Sequence, residues 1–438
     1  MDLINFEKYE IKNIPVYVYK TNNFPTITFR LYFFDELKRE NLTKTDILLR
    51  VLTDSSKKYN KKKKRTKRLD DLYAMRYFLD SSAWYKKRFI STGFQMIDSD
   101  YIDDDNRDYI KEGIKTWKDL FFNLNIKGKG FDKKKVAECK YRAFMAFQDA
   151  KDDKEGTAFQ ELMDKSCKDE VISYHMGGYE EDLDSITPEN LYDYYKEFIM
   201  NTDKMMLIVG DFDFNKYEKT LNDFIPDGLT VVKDESPISF SEEKEVSEVK
   251  EIIKYDDVQQ AQLFMLYRTK LPKDYREKVA NQLFSRMFGG FFNSSLMSKI
   301  RTENSLTYSI GSWLSNTDGI MCVDSKIDES DYDTVVSMVK DSLKDYQEGN
   351  IDLDLLDFAK EKAIDEFMTA FDTKGSIIEY FQNNYIANRK RLLEVDLDEI
   401  VKERIEVFKT INEEDIISAS KRVTLDTIYL LRSEEKDD

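Results

Sequence analysis

Each half of the chain closes in the same way, and that repetition limits the fold more than any other feature. Thr187 is placed to cap a helix, Pro188 suits its first position and Glu189 suits its positive end, so a helix should run to about Met200. Residues 204–210 (KMMLIVG) follow as an apolar run of strand length, closed by Gly210-Asp211. Asn412 stands 225 residues beyond Thr187, caps a second helix with Asp415 at N3, and is followed by a second closing strand at residues 427–431 (TIYLL). Two copies of one α/β unit explain 438 residues better than three unrelated domains.

Other segments fit this plan. Residues 14–20 (IPVYVYK) and 26–34 (TITFRLYFF) read as strands around an Asn22-Asn23 turn. Residues 41–53 read as a helix with Thr45, Leu48, Leu49 and Leu52 on one face, and long amphipathic stretches follow at 107–124 and 132–150. In the second half, 251–255 and 263–267 read as strands and 275–288 as a helix ended by Gly289-Gly290. The polar, acidic stretch 226–247 separates an N-terminal domain, 1–225, from a C-terminal one, 248–438.

Composition excludes several classes. The net charge of −17 disfavours nucleic acid and anionic membrane as general partners. One segment runs against it: residues 57–68 hold nine Lys or Arg, leaving 59 basic against 85 acidic residues elsewhere, a net of −26. A solvated loop between two helices is the expectation there; the alternative is a docking strip for an acidic partner or for RNA, with RNA the weaker version because no aromatic-rich RNA-binding pattern follows. Cys139, Cys167 and Cys322 are few, odd in number and without CxxC spacing, which fits buried thiols in a reducing compartment. No secretory signal opens the sequence and no apolar run reaches membrane-spanning length, so a cytoplasmic protein is expected. Nucleotide-binding glycine motifs and a nucleophile elbow are absent from the sequence.

Three blocks resemble the insulinase/pitrilysin family of zinc peptidases. The first runs from His175-Met176-Gly177-Gly178 through Ser185-Ile186-Thr187-Pro188-Glu189-Asn190-Leu191 to Leu207-Ile208-Val209-Gly210-Asp211. The second, and most specific, is Gly289-Gly290, Ser294-Ser295-Leu296, Lys299-Ile300-Arg301 and Leu306-Thr307-Tyr308-Ser309. The third is Asn412-Glu413-Glu414-Asp415-Ile416. The resemblance implies an α+β fold of two homologous domains. Each would be a mostly antiparallel sheet with helices packed on it, and the two would face each other as a clamshell around a peptide.

Active members carry H-x-x-E-H early in the first domain, which sets two zinc ligands and a general base on one helix face. Matching Ser55-Ser56-Lys57-Lys58-Tyr59 to the stretch after that motif puts Asp46-Ile47-Leu48-Leu49-Arg50 in its place. Ligands and base are lost, and Asp46 and Arg50, at i and i+4, should pair instead. His175 is the sole histidine, so sites with two or three histidines are excluded; it matches a loop position and is expected to be structural. No catalytic residue, metal or cofactor is therefore assigned.

Arg301 and Tyr308 match the family's pair that binds the peptide backbone near the scissile bond. An Arg offers fixed donors to a carbonyl, and a Tyr hydroxyl can stabilise an oxyanion. An intact Arg/Tyr half beside an empty metal half resembles the inactive bacterial members that pair with an active H-x-x-E-H subunit. Some of those are associated by name with elongation factor P modification, others with peptide maturation. The expectation is a non-catalytic subunit of a heterodimeric peptidase acting on a peptide substrate; the alternative is a stand-alone peptide-binding or scaffold protein.

Overall fold

In the computed structural model, residues 6–84, 86–104, 106–229, 242–369, 371–394 and 397–433 are described. Most of the expected separating stretch, residues 230–241, lies outside them.

The first sheet is built from β1 (Phe6–Ile11), β2 (Ile14–Lys20), β3 (Thr26–Glu36), β4 (Arg76–Trp84), β5 (Lys87–Ile97) and, after the short ladder β6 (Ile126–Lys127) with β7 (Gly130–Phe131), β8 (Asp203–Gly210). Its order is β1-β2-β8-β3-β5-β4. Only β2 and β8 run parallel. The second sheet holds β9 (Lys250–Tyr255), β10 (Ala261–Thr269), β11 (Thr307–Ser315), β12 (Ile320–Ile327) and β13 (Val423–Arg432), in the order β11-β12-β10-β13-β9, with β9 and β13 parallel. The repeat is thus a repeat of topology. β2, β8, β3, β5 and β4 correspond to β9, β13, β10, β12 and β11, and β1 is an addition to the first copy.

Helices α1 (Arg39–Asp54), α2 (Lys62–Asp70), α3 (Tyr109–Phe121) and α4 (Lys133–Ala150) precede α5 (Lys154–Ser166), α6 (Pro188–Asn201) and α7 (Phe214–Phe224). Along the second half run α8 (Tyr275–Ser285), α9 (Tyr332–Glu348), α10 (Leu353–Thr369), α11 (Lys374–Glu394), α12 (Leu397–Thr410) and α13 (Glu413–Ser420). Both closing helices begin as the sequence dictates. Thr187 with Asn190 and Asn412 with Asp415 form reciprocal capping boxes, and Pro188 opens α6.

The compact units are not the contiguous halves 1–225 and 248–438. One comprises Met1–Asp149, His175–Ile238 and Thr373–Glu399; the other Ala150–Tyr174, Ser239–Asp372 and Ile400–Asp438. The reason lies in how each sheet is covered. In the first, Val16, Val18, Phe29, Leu31 and Phe33 face a core shared with residues of α1, α3, α6 and α7. The alternate residues Tyr17 and Phe34 pack on Phe381 and Tyr385 of α11, with ring centroids 4.9 and 5.2 Å apart. In the second, Leu263, Met265 and Tyr267 face residues of α8 and α9, whereas Phe264 and Leu266 face Ala158, Leu162 and Met163 of α5. Each sheet therefore borrows one covering helix from the opposite half of the chain. That is why β8 and β10 are buried along their whole length and read as unbroken apolar runs rather than alternating ones.

The basic segment departs from the expected loop: its second part is helix α2. Arg68 donates to Thr116 Oγ1 at 3.0 Å and to Glu112 at 2.8 Å, so the segment is fastened to α3 by ionic and polar bonds that hydrophobic periodicity does not reveal.

Candidate functional site

The element carrying the first expected site is α1. Its buried face (Leu42, Ile47, Leu48, Val51, Leu52) fixes the rotation of the helix. Arg39, Thr43, Asp46, Arg50 and Asp54, spaced four, three, four and four, share a polar stripe. Every member is bonded. Arg39 grips both Asp182 oxygens (2.7 and 3.0 Å) and Glu181 (2.8 Å), while the Thr43 hydroxyl donates to Asp182 at 2.8 Å. Arg50 Nε donates to Asp46 at 2.7 Å, the ion pair expected in place of the zinc ligands. Arg142 of α4 reaches Asp54 at 2.6 Å and touches the Cys139 sulfur at 3.1 Å. Asp46 and Arg50 are both part-exposed, so their pairing contributes on the order of 0.5 kcal/mol.

His175 belongs to this neighbourhood as packing. Its ring stacks on Tyr179 at 4.8 Å, and the far side of the neighbourhood is closed by the Arg39 guanidinium, 3.8 Å from the Tyr179 ring. Gly178 has φ +90°, and a Cβ there would lie 2.6 Å from the Thr43 Cα, so glycine lets this loop press against α1. Among the described residues, no group of three or more His, Cys, Asp or Glu side chains converges as a metal site would require.

The second expected site is assembled quite differently. α8 runs into a π-helical turn, Arg286–Gly290, and a second π-helical segment, Met297–Glu303, carries Arg301 in its last turn. Gly289 packs so closely on β11 that a Cβ would sit 2.8 Å from the Ser312 nitrogen. The fully buried Ile300 anchors the second segment, and Ser305, with φ +56°, turns the chain into β11. The ladder with β12 then slips between Thr307 and Ser309, so Tyr308 sits in a β-bulge at the edge of the sheet. The Thr307 hydroxyl, 2.6 Å from the Lys326 carbonyl and 2.8 Å from Ser325 Oγ, pins that irregularity. Bulges of this kind re-aim a side chain.

The outcome is a juxtaposition. Tyr308 is 78 % exposed, and the Arg301 guanidinium carbon lies 5.5 Å from its ring centroid. Arg301 is exposed as well. Among the described residues Arg301 forms no ion pair and the Tyr308 hydroxyl no hydrogen bond, although the chain carries 85 carboxylates. Both residues were singled out from the sequence, and the structure sets them side by side. Sequence reasoning missed the α1 stripe, whose partners 181, 182 and 142 are remote in sequence, and the bulge, for which the sequence carries no signal.

Comparisons with known proteins place the chain among similar sequences and folds. Residues 185–363 match a family model described as the peptidase M16 inactive domain. The chain is 25% identical over 437 residues, 99% of both sequences, to a Bacillus subtilis (strain 168) protein named "Probable inactive metalloprotease YmfF". Its fold is similar to that of a conserved protein from Enterococcus faecalis V583, with TM-score 0.86, 20% identity and coverage of 99% of this chain and 100% of the other. It is also similar to a peptidase M16 inactive domain from Pseudomonas fluorescens, with TM-score 0.74, 16% identity and coverage of 98% and 99%. In its motif blocks, its duplicated sheets and the α1 ion pair where H-x-x-E-H would stand, the chain is similar to inactive homologues of the insulinase (peptidase M16) family.

Proposed function

We propose that the chain is the non-catalytic subunit of a two-subunit insulinase-type zinc peptidase of the bacterial cytoplasm. In this reading an H-x-x-E-H subunit brings the zinc, and this chain brings the half that grips the peptide. The single observation that carries it is the Arg301/Tyr308 pair: adjacent, exposed, and unpaired in a chain rich in carboxylates. Arg301 donates to substrate carbonyls, and Tyr308 donates to the oxyanion as it develops. The α1 stripe supports the same division, because its charged groups are already engaged with one another. The resemblance to family members associated by name with elongation factor P modification points to protein or peptide processing as the setting.

The experiment is reconstitution. The purified chain alone should contain no stoichiometric zinc and cleave no peptide; mixing it with an H-x-x-E-H relative from the same cell should give activity. Arg301→Ala and Tyr308→Phe should each lower kcat/KM of the mixture at least about tenfold while leaving the melting temperature of the chain unchanged. Full activity in both variants removes the pair from the mechanism. Peptide binding by the chain with no gain in cleavage from any relative establishes the scaffold alternative.

A further inference from the structure

The exposed lysines of the basic segment serve neither the core nor the Arg301/Tyr308 pair, and the structure of α2 is at odds with local physical preferences. α2 buries none of its nine residues. A helix this short is not held by its own propensity in water, and surface helices ordinarily bury an apolar stripe. The Lys61 side chain makes no cap, and Lys62, Lys63 and Lys64 occupy the first turn, where the helix dipole repels cations. Lys63 and Lys67, at i and i+4, repel each other across one face. The helix is held by Leu69, its one apolar contact with the core, and by Arg68, which bonds Thr116, Asp71 and Glu112, while Arg107 braces the same two carboxylates at 2.9 and 2.7 Å.

That clamp decides which side looks outward. With about 100° between successive residues, Arg68, Arg65 and Leu69 form the inner side. Lys63 and Lys67 form the crest, with the exposed Asp70 beside Lys63; Thr66 and Lys62 lie toward Leu69, and Lys64 lies toward Arg68. Lys61, Lys62, Lys63, Lys64 and Lys67 are exposed. Among the described residues, the ion pairs of segment 57–68 are those of Lys58 with Asp119 and of Arg68 with Asp71 and Glu112; the five lysines take part in none. A chain with 85 acidic residues leaves these five uncompensated. Local conflict of this kind marks positions shaped by function rather than by folding.

We propose that the outward face of α2 is a docking ridge for a short acidic segment of a partner protein, centred on Lys63 and Lys67. The extent of the ridge selects the partner. Nine helical residues span about 13 Å, and the remainder of the chain carries a net −26. A run of a few Asp or Glu side chains fits within that length; a nucleic-acid backbone or a lipid surface extends past it and meets the acidic body. The chemistry of the crest agrees. It has no arginine fork for phosphate and no aromatic face for a base. Tyr73, exposed just past the helix, is set edge-on to Tyr109 at 5.2 Å, and Arg107 lies 4.7 Å from the Tyr109 ring. The ridge is independent of the peptidase reading, since it uses neither Arg301 nor Tyr308.

The test is fluorescence anisotropy on the full chain with three probes. These are a labelled peptide of about ten glutamates, a labelled single-stranded RNA of about ten nucleotides, and vesicles containing phosphatidylserine. The acidic peptide should bind tightest and weaken as salt rises. Lys62→Gln/Lys63→Gln/Lys64→Gln/Lys67→Gln should weaken it at least about tenfold. The crest pair Lys63→Gln/Lys67→Gln should act in the same direction. Because these substitutions relieve repulsion and keep good helix formers, neither variant should melt below the parent. The proposal is overturned if the peptide does not bind, if both variants bind it as well as the parent, if RNA or vesicles bind more tightly, or if the crest pair melts lower.

Discussion

Replacing Arg268 by Met should loosen one covering helix while leaving the first unit intact. Arg268 lies on β10 and is 6 % exposed. Its Nε donates to Asp426 at 2.8 Å, its two terminal nitrogens hold the Glu170 oxygens at 2.9 Å, and it also donates to the Ser166 carbonyl at the end of α5. Glu170 and Asp426 are themselves nearly buried. Removing the guanidinium strands two carboxylates in low dielectric, a loss of about 3–5 kcal/mol when nothing else compensates. Glu170 keeps Lys244 at 2.7 Å, which places the expected cost at the lower end, about 3 kcal/mol. The assay is hydrogen exchange read by mass spectrometry, alongside urea unfolding. Amides of α5 should exchange faster by about two orders of magnitude, whereas those of α1 and α6 should not change. Arg268→Met/Glu170→Gln/Asp426→Asn should regain most of the loss, because no buried charge then remains unpaired. A change below about 1 kcal/mol, or faster exchange confined to α1 and α6, would refute the reasoning.

Two further expectations concern buried titratable groups. Lys204 is fully buried on β8, and burial lowers its ammonium to about 8; Lys374, bonded to Thr26, is lowered to about 8 for the same reason. The unfolded chain therefore holds more protons between about pH 8 and 10.5, so stability should rise with pH across that window and stay at its lower level below it. Lys204→Met should stabilise the protein by about 2–3 kcal/mol at pH 7, with the gap closing toward pH 10 and roughly half of the slope remaining through Lys374; urea titrations at several pH values check this. Burial likewise raises all three thiols, Cys167 to about 12 and Cys322 well above its ordinary value. Native protein at pH 8 should react with Ellman's reagent only at the rate of unfolding, and rapid labelling of any one cysteine would contradict that burial.

The legible parts of this fold were those whose signals are local. The capping residues Thr187 and Asn412 announced α6 and α13, and unbroken apolar runs announced β8 and β10. Arg301 and Tyr308 were singled out through a resemblance to a family pattern, and the proximity of the two side chains, which no local signal encodes, came from the structure. What stayed hidden depends on contacts distant in sequence. α5 is ordinarily amphipathic and α11 only weakly so, and nothing in either says which sheet it covers. α2 lacks an apolar period because a guanidinium clamp replaces a hydrophobic stripe. The bulge at Tyr308 arises from the register of β11 against β12, which neither strand encodes alone.

The borrowed helices set a timetable for biosynthesis. β8 is the last strand of the first sheet, yet α11, which covers its second face, ends at Glu394. At ordinary translation rates the intervening chain takes about 10–40 s to emerge. For that interval the nascent protein displays an aromatic surface that includes Tyr17 and Phe34, with nothing of its own to lay over it. A gene truncated anywhere before α11 would make that interval permanent, which turns a nonsense codon in the second half into a source of aggregates rather than of a soluble fragment.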